Sequence, residues 1–138
     1  ETLKEGNNRT LDLIVSNPPY FTSSLTSPND RKTKARHNDS LPLDTFAFCC
    51  KNLINEHSNI MVILPPVEAK TLEEMFNKES IYAKKQYQIF SFPSSSIIRV
   101  VNIFETKPND KQIEDIIIRN LDGTYTEKYT RLTKKFLL

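Results

Sequence analysis

Asn17-Pro18-Pro19-Tyr20 follows directly on the apolar run Leu11-Asp12-Leu13-Ile14-Val15-Ser16 and holds the residue types best suited to chemistry. Two consecutive prolines fix two φ angles near the polyproline value and remove two backbone donors. The strand therefore ends in a stiff, extended corner with carbonyl acceptors and no N–H groups to compete for them. Asn17 adds a side-chain carbonyl acceptor and Tyr20 a flat aromatic face. A planar amino group carries its two hydrogens in one plane, which suits a pair of acceptors held beside a stacking ring. Asn-Pro also opens ordinary turns, and Asn-Pro-x-Tyr is a turn signal in flexible tails. The apolar strand expected at Leu11–Val15 argues against a tail.

The constellation resembles the Asp/Asn-Pro-Pro-Tyr motif of S-adenosylmethionine-dependent amino methyltransferases. These enzymes methylate exocyclic amines of bases or a glutamine side-chain amide. The resemblance implies roles for the residues. The N6 lone pair of adenine is delocalised into the ring, so the amine is a poor nucleophile. Acceptors at Asn17 Oδ1 and the Pro18 carbonyl favour a pyramidal nitrogen with a localised lone pair, and Pro19 stiffens the corner. Alignment with a sulfonium methyl group then supplies proximity and orientation. Fixed acceptors aimed at charge developing on the amine stabilise it electrostatically. Tyr20, with Phe21, would sandwich a base swung out of its stack. Such a site requires no cysteine nucleophile, metal or strong general base.

The elements that would position this corner can be read from periodicity. Leu11–Val15 reads as a buried strand, and residues 22–39 as a polar loop carrying Arg31, Lys32, Lys34, Arg36 and His37. Leu43, Phe46, Ala47, Cys50, Leu53 and Ile54 then recur at helical spacing along one face. Pro42 and Asp44 suit that helix's first turn, and His57 its C-terminal end. Ile60–Leu64 is a continuous apolar run stopped by Pro65-Pro66, the pattern of a strand covered on both faces. Ala69, Leu72, Met75 and Phe76 give a second, shorter amphipathic helix. Lys84–Phe92 and Ile97–Thr106 are β-rich, and the link Pro93-Ser94-Ser95-Ser96 is too short for a parallel crossover. They should pair antiparallel. Gln112–Arg119 reads as another strand, Asp122-Gly123 as a turn and Glu127–Leu132 as a short helix. Phe46, Phe48, Phe76 and Phe104 are expected in the core.

Composition sets the outer limits. At 138 residues and 38% hydrophobic, the chain is one domain's worth of material or a large part of one. It has no apolar stretch long enough for a membrane span and no signal-peptide pattern at its start. Adjacent Cys49 and Cys50 suit neither a mutual disulfide nor a metal pair, and read as buried reduced thiols of a cytoplasmic protein. A net charge of +2 does not by itself imply nucleic-acid binding.

The motif resemblance also implies a fold, which is α/β. Strand, helix, strand, helix and an antiparallel pair is the order of the second half of a Rossmann-like class I methyltransferase, whose complete sheet runs 3-2-1-4-5-7-6. Only Gly6 and Gly123 occur, and no glycine-rich turn after a first strand is in view. Residues 1–138 are thus expected to be the C-terminal half, with strands 4-5-7-6 and a strand-and-helix extension at 107–138. The N-terminal, cofactor-binding half is expected to be missing and the S-adenosylmethionine site incomplete. The strand at 11–15 would then offer an unpaired edge for self-association.

Further motifs narrow the resemblance. Ser27-Pro28-Asn29-Asp30-Arg31-Lys32, Ala35-Arg36-His37 and Asp122-Gly123-Thr124-Tyr125-Thr126 are similar to the bacterial tRNA1(Val) adenine-N6-methyltransferase family. That family modifies the adenine at tRNA position 37. The resemblance implies tRNA as partner, Asn17, Pro18 and Tyr20 as the target-amine site, and the Arg31–His37 loop as a substrate-side segment, whose cations would reach phosphate oxygens and give salt-sensitive RNA binding. The alternative for this loop is an ordinary solvated one, and Lys84-Lys85 and Lys128, Arg131, Lys134, Lys135 read as polar faces. His37 receives no proton-transfer role. Two other readings stay open: a protein glutamine-N5-methyltransferase using the same motif, and an inactive fold fragment or binding module. A DNA adenine methyltransferase is disfavoured, since no target-recognition domain is in view.

Overall fold

The computed structural model describes residues 10–19 and 42–136. Among these residues five strands and three helices follow one another as β1 (Leu13–Ser16), α1 (Leu43–Leu53), β2 (Asn59–Leu64), α2 (Pro66–Lys78), β3 (Tyr82–Phe90), β4 (Ile97–Glu105), β5 (Gln112–Ile117) and α3 (Glu127–Thr133).

Local chemistry sets the helix boundaries. Pro42 precedes α1, and its carbonyl accepts the Phe46 amide at 3.0 Å. Pro66 opens α2, where its missing N–H would have been unpaired in any case. Past Glu79 the chain reverses through Ser80 at φ 57°, and the Ile81 amide donates back to the Phe76 carbonyl at 3.0 Å. Lys51 of α1 pairs with Glu79, tying the two helices together at the surface.

The sheet order is β1-β2-β4-β3-β5. β1 runs parallel to β2, β4 antiparallel to both β2 and β3, and β5 parallel to β3. The first four strands reproduce the expected 4-5-7-6 order with its antiparallel pair, and β5 extends the sheet beyond β3. Because β4 alone is reversed, the C-terminal ends of β1, β2, β3 and β5 all open on one edge, beside the start of β4.

Both long helices pack on the same face. Phe46, Ala47 and Cys50 of α1 and Ala69, Leu72 and Phe76 of α2 form one core with Ile60, Val62, Leu64, Val100 and Phe104 of the sheet. Phe76 meets Phe104 edge to face, with ring centroids 4.7 Å apart.

Several expectations are corrected. β2 is fully buried on one side only: Ile60, Val62 and Leu64 are sealed, whereas Met61 and Ile63 are half-buried. Among the described residues the long helices cover just that one face. The strand at Leu11–Val15 is not buried; β1 begins at Leu13, lies at the sheet's edge, and leaves Val15 65% exposed. Phe48 is not in the core, because two positions beyond Phe46 it projects from the outer side of α1, where it is 68% exposed. Cys49 is likewise exposed, and only Cys50 is buried. Burial, and then the neighbouring Cys49, push the Cys50 thiol up to about 11. It is therefore protonated and inert at neutral pH. Leu53 sits at the rim of the core rather than inside it. His57 falls beyond the end of α1 and is exposed beside Glu56. No helix among the described residues is long and apolar enough to cross a membrane.

Candidate functional site

The Asn17-Pro18-Pro19 corner leaves β1 at the open edge of the sheet. Residues of the α1–β2 loop brace the entry to that strand. Ser58 Oγ donates to the Leu11 carbonyl at 2.5 Å, the Asn59 amide to the Asp12 carbonyl at 2.9 Å, and Asn55 Nδ2 to Thr10 Oγ1 at 2.7 Å. Leu11 N donates to the Leu53 carbonyl at 2.7 Å. β1 is thus pinned at its start and pairs with β2 up to Ser16, opposite Val62.

Beyond Ser16 the corner alternates. Asn17 is exposed, Pro18 buried and Pro19 exposed. The buried ring anchors the turn, and the Asn17 amide makes no hydrogen bond to another described residue. An acceptor on a rigid support, facing outward at the strand's end, is what a planar amine donor would meet. Tyr20 and Phe21, expected to stack a base, lie outside the described residues. So do Arg31, Lys32, Lys34, Arg36 and His37.

Most of the other basic groups are accounted for locally. Lys84 Nζ donates to Asn59 Oδ1 at 2.5 Å and to Glu105 at 3.2 Å. Glu114 bridges Lys128 at 2.7 Å and Lys85 at 2.9 Å, and Lys85 also lies 4.7 Å over the Tyr87 ring. Hydrogen bonds from Lys128 and then Lys85 hold the Glu114 carboxyl down at about 2. Lys84, Lys85 and Lys128 therefore belong to a neutralised polar face. Arg131, Lys134 and Lys135 are exposed towards the end of the described chain.

A groove of about 440 Å³ runs between α2 and the β3–β4 face, lined by Lys70, Glu73, Asn77, Gln86, Gln88 and Lys111 among others. It contains none of the corner residues, and Lys111 spans it to Glu73 at 2.8 Å. No cluster of metal-ligating side chains occurs among the described residues.

The Asp122–Thr126 motif closes the turn after β5 at the same C-terminal end of the strands as Asn17, on the opposite side of the sheet. Thr126 starts α3: its hydroxyl accepts from the Tyr129 amide at 3.2 Å and donates to the Ile117 carbonyl at 2.5 Å. Arg119, in front of this turn, carried no functional reading from sequence beyond closing a strand. Its surroundings emerge only once β5 is placed in the sheet.

The strand order, helices on one face and a proline corner at the sheet edge define an α/β fold of the methyltransferase type. A crystal structure of a predicted O-methyltransferase from Agrobacterium tumefaciens superposes on 93% of this chain and 54% of its own, with a TM-score of 0.66 at 11% identity. Among curated proteins the chain is similar to those named tRNA1(Val) (adenine(37)-N6)-methyltransferase. That of Bacteroides fragilis (strain YCH46) is 28% identical over 134 residues, covering 97% of this chain and 56% of the relative. That of Phocaeicola vulgatus is 33% identical over 127 residues, covering 92% and 54%. The chain thus spans about half the length of the curated relatives it matches. No protein-family model matches it.

Proposed function

We propose that this chain is the substrate-side half of an enzyme that transfers a methyl group from S-adenosylmethionine to the exocyclic N6 of an adenine in tRNA, at position 37 of tRNA1(Val). The observation that carries the reading is similarity along 92–97% of the chain to relatives bearing that one name. The exposed Asn17 corner at the end of β1 supports it, since it leaves room for an amine in front of fixed acceptors.

In this reading Asn17 Oδ1 and the Pro18 carbonyl accept the two amine hydrogens and hold the nitrogen's lone pair out of the ring plane. The double proline keeps both acceptors from rotating away. Tyr20 and Phe21 stack the extruded base, and unstacking is the energetic cost they offset. Arg31, Lys32, Lys34, Arg36 and His37 meet phosphates, giving affinity and salt dependence without sequence information. S-adenosylmethionine, when bound, supplies an electrophilic methyl group. The described residues fit its reacting end, with the free acceptor of Asn17 exposed at the sheet edge, and the rest of its site belongs to sequence outside them. We assign residues 1–138 to one partial methyltransferase domain and place the protein in the cytoplasm, where its substrate resides.

The test incubates the complete polypeptide with labelled S-adenosylmethionine and, in parallel, total tRNA, a release factor and duplex DNA, followed by nucleoside mass spectrometry. N6-methyladenosine in tRNA, lost in Asn17→Ala, is the expected result. Label in the release factor instead would move the assignment to a glutamine-N5-methyltransferase. No transfer to any acceptor would leave a fold fragment or binding module.

A further inference from the structure

The hairpin Arg119–Thr126 has no part in the chemistry assigned to Asn17, yet it opens at the same C-terminal end of the parallel strands. Ile118 N donates to the Phe90 carbonyl at 2.9 Å and Arg119 N to the Ser91 carbonyl at 3.0 Å, so the chain leaves the sheet beside the end of β3. A bridge between Arg119 and Tyr125 closes the turn. Asn120 N donates to the Thr124 carbonyl at 2.8 Å, and Gly123 takes φ 86°, a backbone state that favours glycine. Asp122 Oδ1 accepts from Thr124 N at 2.9 Å and Thr124 Oγ1 at 2.6 Å, which occupies that carboxylate within the turn.

Arg119 is fixed within this frame. Its guanidinium lies 4.3 Å from the Tyr125 ring centroid, donates to the Gly123 carbonyl at 2.7 Å and to the Tyr125 hydroxyl at 3.1 Å. Tyr125 in turn leans on Tyr129, with centroids 5.2 Å apart. Lys51, Lys84, Lys85, Lys111 and Lys128 each face a carboxylate. Among the described residues the partners of Arg119 are all neutral. None of them compensates its charge, and the two bonds leave most of its donors free for a further acceptor. A planar, pre-oriented guanidinium with spare donors suits a phosphate better than a mobile lysine does. Tyr125 is 47% exposed, so this arrangement lies open to a ligand from solvent.

We propose that Arg119, with Tyr125, is a second anchor for the substrate RNA, contacting a backbone phosphate far from the reacting base. The inference rests on the RNA reading above. From β1 to β5 are four strand spacings, or about 19 Å. At about 3.4 Å rise per stacked nucleotide, that is on the order of six nucleotides. Two anchors so separated fix the strand's direction along the edge and deliver one particular nucleotide to Asn17.

The test measures tRNA binding by fluorescence anisotropy across a salt series, together with steady-state methylation, using the complete polypeptide. Arg119→Gln should weaken binding and raise KM roughly tenfold, leave kcat at saturating tRNA unchanged, and flatten the slope of log affinity against log salt by about 0.7. Arg119→Lys should keep the slope and lose only part of the affinity. Tyr125→Phe, which keeps ring and charge but loses the hydroxyl, should keep the slope too, separating phosphate contact from support of the turn. If the parent protein methylates tRNA while Arg119→Gln leaves affinity and slope unchanged, the anchor is wrong and the RNA reading stands. If the parent methylates a protein and ignores tRNA, both fall together.

Discussion

An amide oxygen and a carboxylate can both accept a hydrogen bond from an amine, whereas a methyl group cannot. If Asn17 acts as an acceptor, Asn17→Asp should retain far more turnover in the complete enzyme than Asn17→Ala. The alanine variant should fall by roughly a hundredfold in kcat, the order found when one preorganised polar partner is removed from a reacting centre. Equal losses in single-turnover methylation would remove the acceptor role. Glu114 makes a separate prediction at this scale. Its carboxyl is held at about 2 against an ordinary 4.5, so its stabilising effect is present above the ordinary value and fades as pH falls towards 2. Glu114→Gln should lower the urea midpoint slightly at pH 7 and not at all near pH 2. A difference that persists in acid would point to packing instead. That the Asn-Pro-Pro corner ends a strand was legible because residue types at consecutive positions encode it. The surroundings of Arg119 were not. Its neutral partners and its edge arise from the placement of β5, which no local pattern encodes. Phe48 and Cys49 were misread for the converse reason: residue type was weighed above their positions on the outer side of α1.

At the scale of elements, α2 is the keystone of the covered face. Phe76 is fully buried and meets Phe104 edge to face, joining helix to the reversed strand β4. Phe76→Ala should cost about 3–5 kcal/mol, cavity included, read as a shift in urea midpoint. A loss below about 1 kcal/mol would mean the site collapses freely, against the dense packing expected of a core. Thr126 caps α3 and ties it to the end of β5. Thr126→Ala should cost about 1 kcal/mol, and a change in the Arg119 salt slope on that background would report hairpin movement. The helices and the β3–β4 pair were readable since Leu43–Ile54, Ala69–Phe76 and the short Pro-Ser link carry period and length signals of their own. Gln112–Arg119 was readable as a strand, but its parallel docking outside β3 was not. That choice is made by the parallel ladder between Lys85–Phe90 and Gln112–Ile117, a long-range pairing that no local pattern encodes.

At the scale of the molecule, burial among the described residues is one-sided. The helical face is sealed by aromatic and aliphatic side chains, whereas Leu13 and Val15 on the outermost strand are 56% and 65% exposed. β1 pairs with β2 along one edge only. Its other edge presents N–H and C=O groups with no strand partner among the described residues, beside branched apolar side chains that favour strand pairing. Four residues of flat edge suffice to template a second strand, and a second copy of the chain offers the same edge. The 138-residue chain should therefore associate in a concentration-dependent way, seen as a rising weight-average sedimentation coefficient. Val15→Lys should suppress it by placing a like charge opposite itself across the new pair, while leaving the buried face untouched. A monodisperse monomer at high concentration would mean that this edge is covered. In a longer polypeptide whose added sequence supplies the neighbouring strand, association should be abolished as well. Should association persist and resist Val15→Lys, the contact lies elsewhere, and the exposed Phe48 side of α1 is the next surface to substitute.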